Sequence, residues 1–278
     1  GPPFETSKLR VSGELFEIGP DDLRFSREEV YEYLHQVQGL LLSEKEVAII
    51  ARKTEGWIAG LKMAVLSMQK SADPAAFVNA LNGSHRYIFD YLMEQVLARQ
   101  SAEVRQFLVR TSIVEAFTPA LCEALTGEGQ PGAGSAQETL AYLERANLFL
   151  VPLDDERVWF RYHHLFADLL RSVLQQSLAG QAPELHRRAS DWYERNNMIP
   201  EAVTHALAAG DVERAAHMIA ANVLLLVEQT ELKTVLYHLD ALFAGKKAVE
   251  NPWLNAAHAW VLAFSGEVGR AGHILREI

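Results

Sequence analysis

The sequence contains the stretch Leu148-Phe-Leu-Val-Pro-Leu153-Asp-Asp-Glu-Arg-Val158-Trp-Phe-Arg-Tyr162, in which two apolar runs flank a polar turn. Runs of this length, rich in β-branched and aromatic residues and joined by a short polar segment, are typical of a β-hairpin. Three helical segments precede this hairpin and one follows it. That order, with a helix, a turn, two helices, a hairpin and a final helix, is the order of a winged-helix domain. The hairpin is the predicted wing.

Residues that typically begin helices predict where the three helices before the wing start. The first helix is predicted over Val104–Val114. The second begins at Thr118-Pro119, because threonine can cap a helix and proline is tolerated at its first position. The third begins where Ser135 and Glu138 form the Ser-x-x-Glu pattern of a capping box. These signals support the winged-helix prediction from local chemistry alone.

The same capping pattern occurs twice earlier in the chain, as Ser26 with Glu29 and as Ser43 with Glu46. The apolar run Trp57–Met68 then predicts a buried helix. Since several helices follow one another with short connections, we expect a small helical bundle here.

A strand is predicted over Glu14-Leu-Phe-Glu-Ile18, which the turn pair Gly19-Pro20 follows. A lone strand leaves its backbone hydrogen-bonding groups unpaired, so it needs neighbours in a sheet. We therefore expect its partner strands to precede residue 1.

After the winged helix, helical segments are separated by single breakers, and Gly210-Asp211 suits a helix end followed at once by a helix cap. Repeated helix pairs of this length favour tetratricopeptide-like hairpins. The breakers are Asn196-Asn197, Gly210-Asp211, Asn251-Pro252 and Gly266. The predicted fold class is therefore mostly α, with a helical domain at 26–97, a winged helix with a small β-hairpin wing at 98–180, and antiparallel helical-hairpin repeats at 181–278.

Composition restricts the environment and the partners. The only cysteine, Cys122, cannot form an internal disulfide, and no apolar run has the roughly 20 residues that cross a bilayer. We expect a cytoplasmic protein without membrane contact.

The charge of the chain bears on DNA binding. The formal net charge is −10, and residues 101–180 contain six arginines and no lysine against ten acidic residues. Because DNA binding depends on clustered basic side chains, we expect no direct DNA binding by this chain.

The sequence contains no P-loop, dinucleotide-binding glycine pattern, zinc-protease motif or nucleophile elbow. We therefore predict that the chain is not an enzyme by itself. Nor does any group of metal ligands stand out.

Two places remain as candidate sites. His163-His164 stands where the wing meets the following helix, so an imidazole there could donate to an anion beside the positive helix end. The alternative is that one histidine caps the helix or packs against the wing. Gly56-Trp57 interrupts an apolar helical stretch, which indicates either a ligand contact or, as the alternative that we favour from the residues, close helix packing.

Five stretches, in this order, resemble the MalT-like, large ATP-binding LuxR family of transcriptional regulators among the signal-transduction ATPases with numerous domains. The stretches are Leu9–Ile18 with Asp22–Phe25, Thr54–Leu61, Phe89–Leu92, Phe160–Phe166 and Glu201–Asp211.

The resemblance implies that the chain is the central part of an ATP/ADP-switched transcription activator. A P-loop domain would precede it, with residues 1–25 as the end of that nucleotide-binding domain, and a DNA-binding helix-turn-helix would follow it. His163 aligns with the histidine that reaches the β-phosphate of ADP in relatives. Gly56 and Trp57 align with the motif that approaches the adenine, although this chain lacks the proline that many relatives have there.

The implied partners are the P-loop domain, an inducer or regulator protein at the helical repeats, and other copies of the protein on activation. ATP or ADP would be bound by the whole protein and no cofactor by this chain alone. The alternative function is a free-standing winged-helix and tetratricopeptide-like scaffold that binds proteins and no nucleotide.

Overall fold

A computed structural model describes residues 6–16, 18–19, 21–69, 74–127, 135–229, 236–237, 239–240 and 252–277. The chain forms two compact units, one made of Gly1–Arg105 with Leu140–Ser172 and the other of Gln106–Thr139 with Val173–Ile278. The predicted domain boundaries differ from this division, which cuts through the segment predicted as a winged helix.

The first unit is built mainly from helices. They are α1 (Thr6–Ser12), α2 (Arg27–Glu32) continued by a π-helical turn (Tyr33–Val37), α3 (Glu44–Thr54), α4 (Ile58–Met68), α5 (Pro74–Ala80) and α6 (Arg86–Gln95). The capping boxes at Ser26 and Ser43 are both formed, because each serine accepts from the backbone N–H of the glutamate three residues later and that glutamate accepts in return. The helix starts predicted at these serines are therefore confirmed.

The boundaries between the two units fall within three helices. These are α7 (Ala102–Thr111), α9 (Ala136–Arg145) and α10 (His164–Ser177). Helix α7 begins earlier than the predicted Val104, because Ser101 accepts the N–H of Val104 and so caps the helix from residue 101. The predicted caps of the next two helices are present, at Thr118 for α8 (Pro119–Thr126) and at Ser135 for α9.

The wing is an antiparallel pair of strands, β1 (Leu150–Pro152) and β2 (Phe160–Tyr162), with Val151 opposite Arg161. Both strands are shorter than the predicted apolar runs, and β1 begins only at Leu150 because Phe149 has a positive φ of 56°, which an extended strand cannot accommodate. The mostly helical fold with a winged helix and a small hairpin is therefore confirmed.

The predicted strand over Glu14–Ile18 is wrong for its described residues, 14–16 and 18, which lie in no strand. In the part of the chain that the structure describes, β1 and β2 are the only strands, and they pair with each other. Among the described residues the segment therefore has no sheet to join, and Phe16 is 88% exposed.

The second unit contains a series of helices, each of which packs on the next, and α8 packs on the first of them. They are α11 (Ala182–Arg195), α12 (Ile199–Ala208), α13 (Val212–Gln229), α14 (Pro252–Phe264) and α15 (Val268–Glu277). The predicted break at Gly210-Asp211 is confirmed, because Gly210 has a φ of +76° and the Asp211 carboxylate accepts the N–H of Arg214. Asn251 of the predicted Asn251-Pro252 break lies outside the described residues, and Pro252 begins α14.

Among the described residues, no helix is both long enough and apolar enough to cross a bilayer.

Candidate functional site at the wing

The turn between α3 and α4 brings backbone groups of the helical region to the wing. Helix α3 ends at Thr54, and the next two residues, Glu55 (φ 48°) and Gly56 (φ 71°), have left-handed backbones. The N–H of Trp57 then donates to the Thr54 carbonyl at 2.8 Å. This tight turn ends one helix and starts the next within three residues.

Gly56 is fixed by the chain segment that precedes α2. Phe25 donates its N–H to the Gly56 carbonyl at 2.9 Å, and a Cβ at position 56 would lie 2.3 Å from the Phe25 carbonyl oxygen. No side chain fits there, so close backbone packing accounts for this glycine, which was the alternative weighed from the sequence.

His163 lies between β2 and α10, and its imidazole contacts the same turn. Its backbone N–H donates to the Phe149 carbonyl at 2.8 Å, and its Nε2 lies 2.9 Å from the Thr54 carbonyl oxygen. Because a carbonyl only accepts, Nε2 must carry the proton of this hydrogen bond. The side chain is 3% exposed, and its Nδ1 is buried without a hydrogen-bond partner among the described residues.

Burial lowers the pKa of His163 below its usual range, although the nearby Glu55 carboxylate and the hydrogen bond to Thr54 oppose this effect. The imidazole is therefore neutral at pH 7 in this arrangement, with a proton on Nε2 and a lone pair on Nδ1.

A cluster of charges surrounds the buried carboxylate of Glu55, whose side chain is 9% exposed. Arg161 donates to both carboxylate oxygens, at 2.8 and 2.9 Å. His164 contributes its backbone N–H at 3.0 Å and its Nδ1 at 2.7 Å, and a guanidinium nitrogen of Arg24 lies 3.6 Å away. We call these four residues the Glu55 cluster.

The groups around Glu55 favour its ionised form. Burial by itself raises the pKa of a carboxylate, but the hydrogen bond from Arg161, the electrostatic interaction with His163 and the hydrogen bond from the backbone of His164 outweigh it and lower the pKa of Glu55 to about 2. Glu55 is therefore ionised at any physiological pH, and its two-point contact with Arg161 is a charge-assisted pair.

Aromatic rings close the site on the side of Trp57. The indole contacts Phe149 edge to face with 5.0 Å between ring centroids, and it lies 6.0 Å from the His163 ring and 5.8 Å from Tyr91. Edge-to-face contacts of this kind favour a fixed ring arrangement. Trp57 thus helps to exclude water from the imidazole of His163.

The start of α10 also lies against two glycines of the helical region. A Cβ at Gly60 would lie 3.3 Å from a methyl group of Leu165, and one at Gly83 would lie 1.9 Å from the Leu165 carbonyl oxygen. The N–H of Gly83 also donates to the Asp168 carboxylate at 3.3 Å. The first turn of α10 therefore approaches the backbone of both glycines closely.

The structure brings together the three residues singled out from the sequence, His163, Gly56 and Trp57, and their role in nucleotide binding stays a prediction. Sequence reasoning missed Glu55 and Arg161. For Arg161 the available signal was a charged residue inside an otherwise apolar run, whereas Glu55 follows Arg52 and Lys53 and carries no such signal. Among the described residues, no group of three or more His, Cys, Asp or Glu side chains is arranged to hold a metal ion.

Residues 93–182 match the family model of the MalT winged helix domain. Over 253 residues, 91% of this chain, the sequence is 35% identical to the serine/threonine-protein kinase PknK of Mycobacterium tuberculosis, of which it covers 22%. It is 32% identical over 281 residues to the HTH-type transcriptional regulator MalT of Yersinia enterocolitica, covering 99% of this chain and 30% of that protein. With MalT of Serratia proteamaculans it shares 33% identity over 264 residues, covering 94% of this chain and 28% of that protein.

The chain thus spans less than a third of the length of each of these relatives. Because PknK matches 91% of this chain and MalT of Yersinia enterocolitica matches 99%, largely the same stretch resembles both. The match to the winged helix includes the wing, His163 and the whole of α10. The chain therefore contains a region that matches the MalT winged helix domain, and over most of its length it is similar to part of the MalT regulators and of PknK.

Proposed function

We propose that this chain is the regulatory, signal-sensing part of a transcription activator that ATP and ADP switch between two states. The similarity to MalT regulators over nearly the whole chain supports a regulatory role. In this function, the helical region and the winged helix close over a nucleotide held by a P-loop domain of the same protein. The helical hairpins of the second unit bind an inducer, and activated copies associate.

The observation that carries the proposal is the unpaired Nδ1 of the buried His163. Most buried polar atoms have hydrogen-bond partners, so an exception requires an explanation. A nucleotide phosphate explains it, because an imidazole that is protonated on both nitrogens can donate to Thr54 and to a phosphate oxygen together. This histidine is also the one that aligns with the phosphate-contacting residue of the family.

The residues fit a phosphate in their chemistry. Protonating Nδ1 is opposed by burial, but it is favoured by the ionised carboxylate of Glu55. A bound nucleotide supplies the further negative charge that stabilises the imidazolium. In the arrangement described, Nδ1 is buried, so the groups that cover it must move before a phosphate can reach it, while the hydrogen bond from Nε2 to Thr54 stays.

Regulation then follows from a two-state equilibrium. A ligand shifts such an equilibrium only by the difference between its affinities for the two states. ADP favours the closed state through His163, whereas an inducer at the helical hairpins favours the open one.

The test is made in the full-length gene product, with ADP affinity and inducer-independent transcription as readouts. We expect His163→Ala to weaken ADP binding about tenfold or more, the loss expected for a hydrogen bond between charged groups, and to raise basal transcription. The control is His217→Ala, which removes an exposed histidine from α13 and should change neither.

If His163→Ala leaves both the ADP affinity and the basal transcription unchanged, nucleotide control does not act through this histidine. The inaccessible nitrogens of His163 would then support the second function, a protein-binding scaffold without a nucleotide.

A further inference from the structure

Glu55 contacts the chain on both sides of His163. Its carboxylate accepts two hydrogen bonds from Arg161, two residues before the histidine, and one from the backbone N–H of His164, the residue after it, whose Nδ1 lies 2.7 Å from the same carboxylate. Between these points, the His163 ring donates to the carbonyl of Thr54, the residue that precedes Glu55. The residues on both sides of His163 are thus hydrogen-bonded to the same turn that accepts the hydrogen bond from its ring.

We propose that Glu55 is a positioning residue that holds the imidazole of His163 against the Thr54 carbonyl and thereby controls whether the ring can reach a ligand. The role in ligand access rests on the nucleotide function proposed above. Glu55 acts through His163 and needs no contact with the nucleotide.

Three features of Glu55 support this role. Its carboxylate is 9% exposed, so solvent screens its contacts much less than those of a surface ion pair. Its hydrogen bonds with Arg161 are bidentate, which fixes direction as well as distance. Its left-handed backbone, with φ 48° and ψ 35°, immediately follows Thr54, so the carboxylate and the carbonyl belong to one rigid turn.

The wing offers a matched control in the ion pair between Arg157 and Glu144, whose closest atoms are 2.6 Å apart. This pair also joins the hairpin to a helix, but it does not flank His163, and its side chains are 63% and 33% exposed. Removing the charge of Glu144 tests a general loss of ion pairing in the wing. Removing the charge of Glu55 tests the position of the imidazole.

The experiment uses the chain labelled with ¹⁵N-histidine and records the ring resonances by NMR without a nucleotide. The chain has ten histidines, so the His163 signals are assigned by their loss in His163→Gln. In the unaltered chain we expect one tautomer, protonated on Nε2, with slow solvent exchange of that proton. Glu55→Gln keeps the size and the backbone geometry, and should speed this exchange about tenfold or more, because the contacts to charged groups are lost. Glu144→Gln should leave the exchange unchanged.

If Glu55→Gln does not fold, Arg161→Lys provides a second test, because it keeps the positive charge and removes the bidentate geometry. We expect an intermediate increase in exchange for that variant. The positioning role would be overturned if the Nε2 proton of His163 exchanged as slowly in a folded Glu55→Gln or Arg161→Lys variant as in the unaltered chain.

Because the NMR readout involves no nucleotide, it separates the two proposals. If His163 binds no ADP but Glu55→Gln still frees its ring, the nucleotide function fails and the positioning role stands. If ADP binding depends on His163 but Glu55→Gln does not change the solvent exchange of its Nε2 proton, the positioning role fails and the nucleotide function stands.

Discussion

The carbonyl oxygen of Phe25 occupies the space that a side chain at Gly56 would need, 2.3 Å from an added Cβ. The same two residues share a backbone hydrogen bond of 2.9 Å. The segment before α2 and the turn after α3 therefore touch backbone to backbone. This contact fixes the turn from which Thr54 and Glu55 reach the wing.

Gly56→Ala should therefore destabilise the chain by about 2–4 kcal/mol, since the added Cβ costs left-handed backbone strain and also displaces Phe25. Gly39→Ala is the control, because Gly39 has a similar φ of +65° but nothing within 4 Å of its added Cβ. We expect that variant to lose only about 1 kcal/mol. Urea unfolding curves of the two variants give the comparison, and equal losses would show that the contact with Phe25 is unimportant.

The helix starts could be predicted from sequence because their causes are local. The capping hydrogen bonds of Ser26, Ser43 and Ser135 join residues three positions apart, so the pattern itself contains the interaction. The left-handed Gly210 followed by the capping Asp211 is predictable for the same reason. That His163 and Gly56 lie near one turn could be expected only from the family resemblance.

The Glu55 cluster could not be predicted, because Glu55 and Arg161 are 106 residues apart and no periodicity links them. The error at Glu14–Ile18 has a different cause. Its residues have the side chains of a strand, but strand formation depends on a neighbour that a pattern in one segment does not reveal.

The carboxylate of Asp154 accepts two backbone hydrogen bonds in the turn of the wing. Asp154 accepts the N–H groups of Val158 at 2.7 Å and of Trp159 at 2.8 Å. Asp154→Ala should cost about 1–2 kcal/mol of stability, as for the loss of a helix cap, because two backbone donors lose their acceptor. The neighbouring exposed Asp155→Ala should cost less than about 0.5 kcal/mol. Thermal unfolding measures both, and a similar effect of the two changes would contradict this role of Asp154.

The winged helix should not bind DNA, because the two arginines of its wing face acidic partners. Arg157 on the wing pairs with Glu144 of α9, and Arg161 pairs with Glu55. In fluorescence anisotropy with a short duplex at physiological salt, we expect no binding tighter than roughly 0.1 mM.

The control for DNA binding is a wing in which Asp155→Lys and Glu156→Lys reverse two exposed charges. This variant should gain weak binding that disappears as the salt concentration rises, because added lysines release counterions from DNA. Tight binding by the unaltered chain would show that these ion pairs open on contact with DNA.

The stability of the second unit should decrease as the pH falls, because a histidine pair in it includes the buried His205. Nδ1 of His186 on α11 lies 2.8 Å from Nδ1 of His205 on α12, and the ring of Tyr193 stacks on His205 with centroids 5.4 Å apart. Burial, with a smaller contribution from His186, lowers the pKa of His205 to about 4. The folded chain therefore keeps His205 neutral at pH values where the unfolded chain protonates it.

With an unfolded pKa of 6.5, the unfolded state binds the extra proton between about pH 6.5 and 4, so stability decreases as the pH falls through this range. The loss from His205 should be about 2 kcal/mol between pH 6.5 and 5. We expect His205→Asn, which cannot titrate, to lower stability at pH 7 because the contact with His186 changes, but to flatten the dependence on pH. His217→Asn, at an exposed position, should keep the full slope. Urea unfolding at a series of pH values measures these slopes, and an unchanged slope in His205→Asn would exclude His205 as the titrating group.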